Sequence, residues 1–126
     1  MSEVMTVQRN VKLDSEQYLT SSEDFTGTSG GKISAAVPAL STDWPLPGWG
    51  GFDGDNLKTI WMTVDVAATV KFIHGAGSVN MTIPAGGTFL WCDTDAAANP
   101  FVGLDITGLT ITCTAACALQ GRYCIG

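Results

Sequence analysis

The chain has 126 residues, with six Lys and Arg against twelve Asp and Glu, and a charged fraction of 14%, where about 25% is usual. So few basic residues and a formal charge of −6 argue against a phosphate-binding nucleic-acid module. No apolar run approaches the roughly 18 residues of a membrane helix. The first residues contain neither a basic nor an apolar stretch, so no secretory signal is expected. The length suits one domain with one ordinary core.

The N-terminal part of the chain is the most charged, since residues 1–24 hold seven of the eighteen charges. Residues 4–13 are compatible with an extended strand, whereas Asp14 to Leu19 could instead form one helical turn. Thr26 to Lys32 contains three glycines between hydroxyl residues, which indicates a loop or linker. This segment is therefore predicted to be an arm, held either by a neighbouring chain or as a strand in the domain's own sheet.

A change of composition from Trp44 to Asn56 predicts a long loop, because two prolines remove amide donors and four glycines allow unusual dihedrals. Its three aromatic residues, Trp44, Trp49 and Phe52, could stack on sugar rings, close one end of the core or fill a groove between subunits. Asp53 and Asp55 could bind calcium, although Asp, Gly and Asn are also the ordinary residues of turns.

After Leu57 the apolar residues alternate with polar ones, which is typical of strands with one buried face. Glycine- and proline-containing turns separate the predicted strands, which cover about residues 59–66, 69–74, 78–83, 88–92, 104–113 and 117–125. Short strands at even intervals indicate an all-β fold, an antiparallel β-sandwich of jelly-roll type with an N-terminal extended arm. The arm and its linker take residues 1–32, and the single sandwich domain takes residues 33–126.

The four cysteines do not show the paired spacing of a structural zinc site. Cys113 and Cys117 flank Thr114–Ala116, and if those residues form a hairpin loop the two thiols come near disulfide reach. The alternative is that all four are small buried hydrophobic residues. His74 is the one histidine, and its place at a strand end favours a structural role. No catalytic motif is present, so we expect no enzyme activity, no cofactor and no metal.

Two stretches carry a resemblance to a known group of proteins. Val70 to Phe89 reads as strand, glycine turn, strand, Pro-Ala-Gly-Gly turn and strand, and Leu104 to Cys113 contains Gly-Leu-Thr-Ile-Thr before a last strand. Over roughly residues 57–126 the chain resembles the small β-sandwich virion proteins of tailed bacteriophages, the head decoration or cement proteins. The resemblance implies a non-catalytic protein at the capsid surface of the virion, which binds the major capsid protein and itself, as a homotrimer, and thereby stabilises the shell.

The low charge agrees with a chain that is buried against other chains, because contact there avoids the desolvation of ion pairs. Interface cores are enriched in aromatic residues, and the candidates for that role are Trp44, Trp49, Phe52, Trp61 and Trp91. Neither a nucleic-acid nor a membrane partner is expected. Two alternatives stay open: a carbohydrate-binding module or viral adhesin that uses the aromatic loop 44–52, and a small disulfide-rich secreted domain.

Overall fold

The computed structural model describes residues 3–13, 16–46 and 51–126. Its regular structure is almost entirely extended, apart from a short 3-10 turn at Gly54–Asn56. The strands are β1 Glu3–Leu13, β2 Glu16–Gly27, β3 Ser29–Val37, β4 Ser41–Pro45, β5 Phe52–Asp53, β6 Leu57–Val64, β7 Ala68–His74, β8 Gly77–Ile83, β9 Thr88–Cys92, β10 Asp105–Cys113 and β11 Cys117–Ile125. No helix among these residues is long and apolar enough to cross a membrane.

Two antiparallel sheets pack face to face, which confirms the predicted all-β sandwich. One sheet has the order β3-β11-β6-β9, and the other has the order β4-β10-β7-β8, with β5 also paired to β10. Alternation places one face of each strand inward: on β6, Ile60 and Met62 are fully buried while Trp61 between them is half-buried. The alternation of apolar and polar residues therefore gives each sheet one apolar face, and the two apolar faces pack against each other.

The core between the sheets is apolar and includes a group of aromatic rings. Phe101 comes from the connection that follows β9, and its ring lies 4.7 Å from that of Phe72 and 5.4 Å from that of Phe52. Phe72 and Phe101 are both fully buried. The long connection from β9 to β10 thus adds a large hydrophobic side chain to the core instead of lying wholly outside it.

The first two strands form a separate two-stranded hairpin, in which Glu3 pairs with Gly27 at the open end. The predicted strand over residues 4–13 is confirmed. The alternative of a helical turn is wrong for residues 16–19, which belong to β2, and Asp14 and Ser15 lie outside the described residues. We call this hairpin, β1 and β2, the arm.

The predicted linker over residues 26–32 is wrong, because β2 extends to Gly27 and β3 begins at Ser29. β3 pairs with β11 along its whole length, so the sandwich begins four residues before the predicted boundary at 32/33. Gly27 lies so close to the backbone of Ile125 that a Cβ there would collide with its carbonyl oxygen. The glycines of this segment therefore allow close packing rather than a free loop.

The predicted loop over residues 44–56 contains more regular structure than expected. β4 includes Trp44 and Pro45, β5 includes Phe52, and residues 47–50 lie outside the described part of the chain. Pro45 is tolerated because it is the last residue of an edge strand. Asp43 lies in the left-handed region with a φ of 48°.

Candidate functional site

The aromatic residues predicted to form an interface have different positions in the structure. Phe52 and Trp91 are 5% and 7% exposed and belong to the sandwich core. They are therefore core residues and not exposed interface residues, because the neighbouring rings and the carbonyl of Ala97, which accepts from the Trp91 indole, occupy their contacts. Trp44 is half-buried against the core, and Trp49 lies outside the described residues.

The buried position of Phe52 also counts against the alternative in which the aromatic loop 44–52 binds carbohydrate. Of the three rings in loop 44–52, only Trp44 lies partly exposed among the described residues. Asp53 and Asp55, the carboxylates considered for calcium, accept hydrogen bonds from the backbone N–H groups of Asp55 and Gly103. They act as turn-capping residues in this structure, and no group of three or more His, Cys, Asp or Glu side chains within the described ranges could hold a metal ion.

All four cysteines are buried free thiols. The Cys113–Cys117 disulfide left open by the sequence is not formed in this structure, since the two thiols donate to different carbonyl groups, those of Pro38 and Val66. Burial raises the pKa of the Cys117 thiol above its usual value.

Cys92 and Cys124 lie outside the sandwich core, on the outer face of the sheet β3-β11-β6-β9. Each is paired with Thr59, Cys92 from one side and Cys124 from the other. Two strand spacings amount to about 9–10 Å, which exceeds the roughly 7 Å between Cα atoms that a disulfide can span. These two thiols therefore form a buried row with Thr59 rather than a covalent link.

The arm covers that row. The Arg9 guanidinium donates to both carboxylate oxygens of Asp95, at 2.8 and 3.0 Å, and to the Cys92 sulfur at 3.2 Å. The Cys124 thiol lies 3.6 Å from the carbonyl oxygen of Phe25, a side chain that is 6% exposed. Among the described side chains, the Arg9–Asp95 ion pair and the buried ring of Phe25 thus place the arm against the outer sheet face.

The hydrogen bonds between Arg9 and Asp95 stabilise the charged form of both side chains. The hydrogen bond from Arg9 lowers the pKa of the Asp95 carboxyl below its usual range, and the backbone N–H of Cys92 adds to that effect. The same bond raises the pKa of Arg9. Thr94, next to Asp95, donates to the Glu23 carboxylate at 2.6 Å. Both strands of the arm are therefore attached to the turn that follows β9.

One continuous segment of the sandwich contains no charged residue. Residues 77–92 comprise β8, the turn at 84–87 and β9, and they contain no Asp, Glu, Lys or Arg. We call this segment the uncharged flank. β8 and β9 are terminal strands in the order of their sheets, and a recess of about 400 Å³ between them is lined by Met81, Ile83 and Phe89, among others. Both open edges and an apolar recess therefore lie together on this flank.

The edge strand β8 lacks the features that usually protect an edge. Natural edges are shielded by charges, prolines or bulges, whereas β8 contains neither a charge nor a proline and pairs with β7 without a register shift. Val79 and Met81 pack on the core but stay partly exposed. An edge of this kind leaves its backbone groups open to pairing with a further strand.

A cleft of about 780 Å³ lies between the arm and the outer face of the sheet β3-β11-β6-β9. Four side chains form a row across its floor, because the strand register aligns them: Lys32, Arg122, Trp61 and Leu90. Of the predicted interface residues that the structure describes, Trp61 is the one that lines this cleft. Lys32, Arg122 and Leu90 were not predicted as site residues from the sequence.

No family model matches this chain, and comparison with curated proteins and with solved structures also produced no match.

Proposed function

We propose that the protein is a non-catalytic structural subunit of a virus particle. It assembles with copies of itself, as a homotrimer, and binds the major capsid protein on the capsid exterior, where it stabilises the shell. The observation that carries the proposal is the uncharged flank, which combines two open strand edges with an apolar recess.

Charge favours contact between copies at the uncharged flank. Each chain carries a formal charge of −6, so copies repel one another except where their surfaces lack charge. The uncharged flank is such a surface, and no ion pair has to be desolvated when it is covered. A strand of a second copy can add to β8 through backbone hydrogen bonds, which is a common mode of association.

The resemblance to decoration proteins supports the virion part of the proposal, and the arm supports it independently. The arm offers a second surface, distinct from the flank, with which a subunit can contact the shell. A protein that uses one surface for its own assembly and another for the capsid needs no catalytic group. The net negative charge also disfavours nonspecific binding to DNA.

The oligomer is tested by light scattering of the purified protein after size exclusion. We expect a mass near three times 13.2 kDa for the wild type and a monomer for Thr82→Glu, which places a charge on the exposed side of β8. Gln120→Glu is the matched control, since it adds the same charge at an exposed position of the central strand β11, and it should stay trimeric.

Capsid binding is tested by sedimentation of the protein with purified shells of the major capsid protein. Co-sedimentation of the wild type at a fixed ratio to capsid subunits is the expected result. A protein that remains monomeric at all concentrations and never sediments with shells would overturn the proposal.

A further inference from the structure

The floor of the arm cleft holds two cations side by side. Lys32 on β3 and Arg122 on β11 are direct cross-strand partners, so their Cβ atoms are about 4.5–5.5 Å apart, an arrangement in which like charges repel. Within the described residues neither cation belongs to an ion pair, whereas Arg9, Lys58 and Lys71 each have an aspartate partner. An acidic chain has thus left two adjacent positive charges unneutralised in a groove.

The walls of the cleft add an apolar component. Beside Arg122 lie Trp61 and then Leu90, and the opposite wall is formed by β1, where Met5 and Val7 are half-buried. No acidic residue is among the described residues that line the cleft, and the part of β1 that contributes to it, Val4 to Gln8, is uncharged. Its volume of about 780 Å³ lies within the range of sites for small organic ligands, roughly 300–1,000 Å³.

We propose that this cleft binds a small amphipathic anion, a molecule with one carboxylate, sulfonate or phosphate group on an aliphatic or aromatic body. Arg122 and Lys32 bind the anionic group through charge-assisted hydrogen bonds. The body lies along Trp61 and Leu90 and is covered by β1. The site shares Leu90 with the uncharged flank but lies apart from the β8 edge, so this inference does not depend on the proposed assembly.

The charge complementarity selects this occupant over a neutral one. A neutral apolar molecule would leave the two cations opposed, whereas an anion between them removes the repulsion and gains two ionic contacts. A ligand with one anionic end and one apolar end also matches the order of the floor residues, since the cations occupy one side of the row and Trp61 with Leu90 the other.

The test uses two naphthalene probes that share the same aromatic body. 8-Anilino-1-naphthalenesulfonate carries a sulfonate, and N-phenyl-1-naphthylamine lacks it; both fluoresce more strongly in apolar surroundings. Binding is titrated to the full, folded chain, with the near-ultraviolet circular dichroism recorded at saturation. We expect one sulfonate probe per chain and an affinity at least about tenfold lower for the neutral probe.

Three variants locate the site. Arg122→Gln should weaken binding of the sulfonate probe by about tenfold, and Lys32→Gln should weaken it by a smaller factor. Lys71→Gln is the matched control, since it removes the same charge from the other sheet, where Lys71 is paired with Asp43, and its affinity should stay within about twofold of wild type. The indole N–H resonance of Trp61 should shift on titration in the wild type.

Any of three results would overturn the inference. The wild type could bind both probes with equal affinity, or Arg122→Gln and Lys71→Gln could bind the sulfonate probe equally well. The third is a titration that does not saturate at one sulfonate probe per chain. Arg122→Gln should leave the oligomeric mass unchanged, so a failure of this site and a failure of the proposed assembly give different results.

Discussion

The two faces of the sheet β3-β11-β6-β9 are covered in different ways. The inner face packs against the second sheet through apolar side chains such as Ile60, Met62 and Leu119, all fully buried. The outer face is covered by the arm, and there the buried residues include Thr59, Cys92 and Cys124, beside the partly exposed Arg9–Asp95 ion pair. Among the arm side chains that the structure describes, none belongs to the sandwich core, so we expect the sandwich to stay folded when the arm separates.

The largest loss of stability is expected for a substitution on the inner face of the sheets. Phe72 is fully buried among core residues, so Phe72→Ala removes a large buried side chain and leaves a cavity, at a cost of about 3–5 kcal/mol in the free energy of unfolding. Urea unfolding followed by circular dichroism measures this loss. Phe72→Leu, which keeps most of the volume, is the control and should cost less; equal effects of the two variants would contradict a well-packed core.

A smaller loss of stability is expected for a substitution in the arm, on the outer face of the sheet β3-β11-β6-β9. Phe25→Ala removes the buried ring of the arm and should lower the free energy of unfolding of the sandwich by only about 1–2 kcal/mol. It should instead expose two thiols, because Cys92 and Cys124 lie beneath the arm whereas Cys113 and Cys117 lie in the core. Alkylation followed by mass spectrometry of peptides distinguishes them, and simultaneous reaction of all four thiols would show that the arm and the sandwich unfold together.

The structure of the inner face could be predicted from the sequence, whereas that of the outer face could not. The alternation of apolar residues predicts the strands of the sandwich well, since β9 and β11 coincide with the predicted ranges 88–92 and 117–125. Alternation depends only on each strand's own buried face. It therefore needs no knowledge of which strands become neighbours.

The prediction fails where distant contacts decide the structure. Residues 26–32 have the composition of a loop. Gly31 nevertheless belongs to β3, where it lies against the Tyr123 ring and where a Cβ would collide with that ring. Glycine at this position therefore allows β3 to pair with β11. Phe52 and Trp91 were assigned to an interface because aromatic content alone does not reveal whether a ring faces a partner or the core. The arm cleft depends on the pairing of Lys32 with Arg122, ninety positions later, which only the strand register reveals.

The smallest expected effect concerns the pH dependence of the arm contact. The pKa of Asp95 is lowered below 3.8, first of all by the hydrogen bond from Arg9, so the contact is fully stabilising above that pH and is lost as the pH falls through the lowered pKa. The side chains of Arg9 and Asp95 are 36% and 19% exposed, and solvent screening limits the change to within about 1 kcal/mol.

The backbone amide resonance of Cys92, which donates to Asp95 at 3.0 Å, reports this titration by NMR. We expect a midpoint below 3.8 in the wild type, a midpoint shifted upward in Arg9→Gln, and no titration at this amide in Asp95→Asn. Arg9→Gln tests the cause, because it removes the guanidinium charge while keeping a side chain that can donate to a carboxylate. A midpoint that Arg9→Gln leaves unchanged would mean that the guanidinium charge does not lower the pKa of Asp95, and that the arm is not held by an ionic contact at this position.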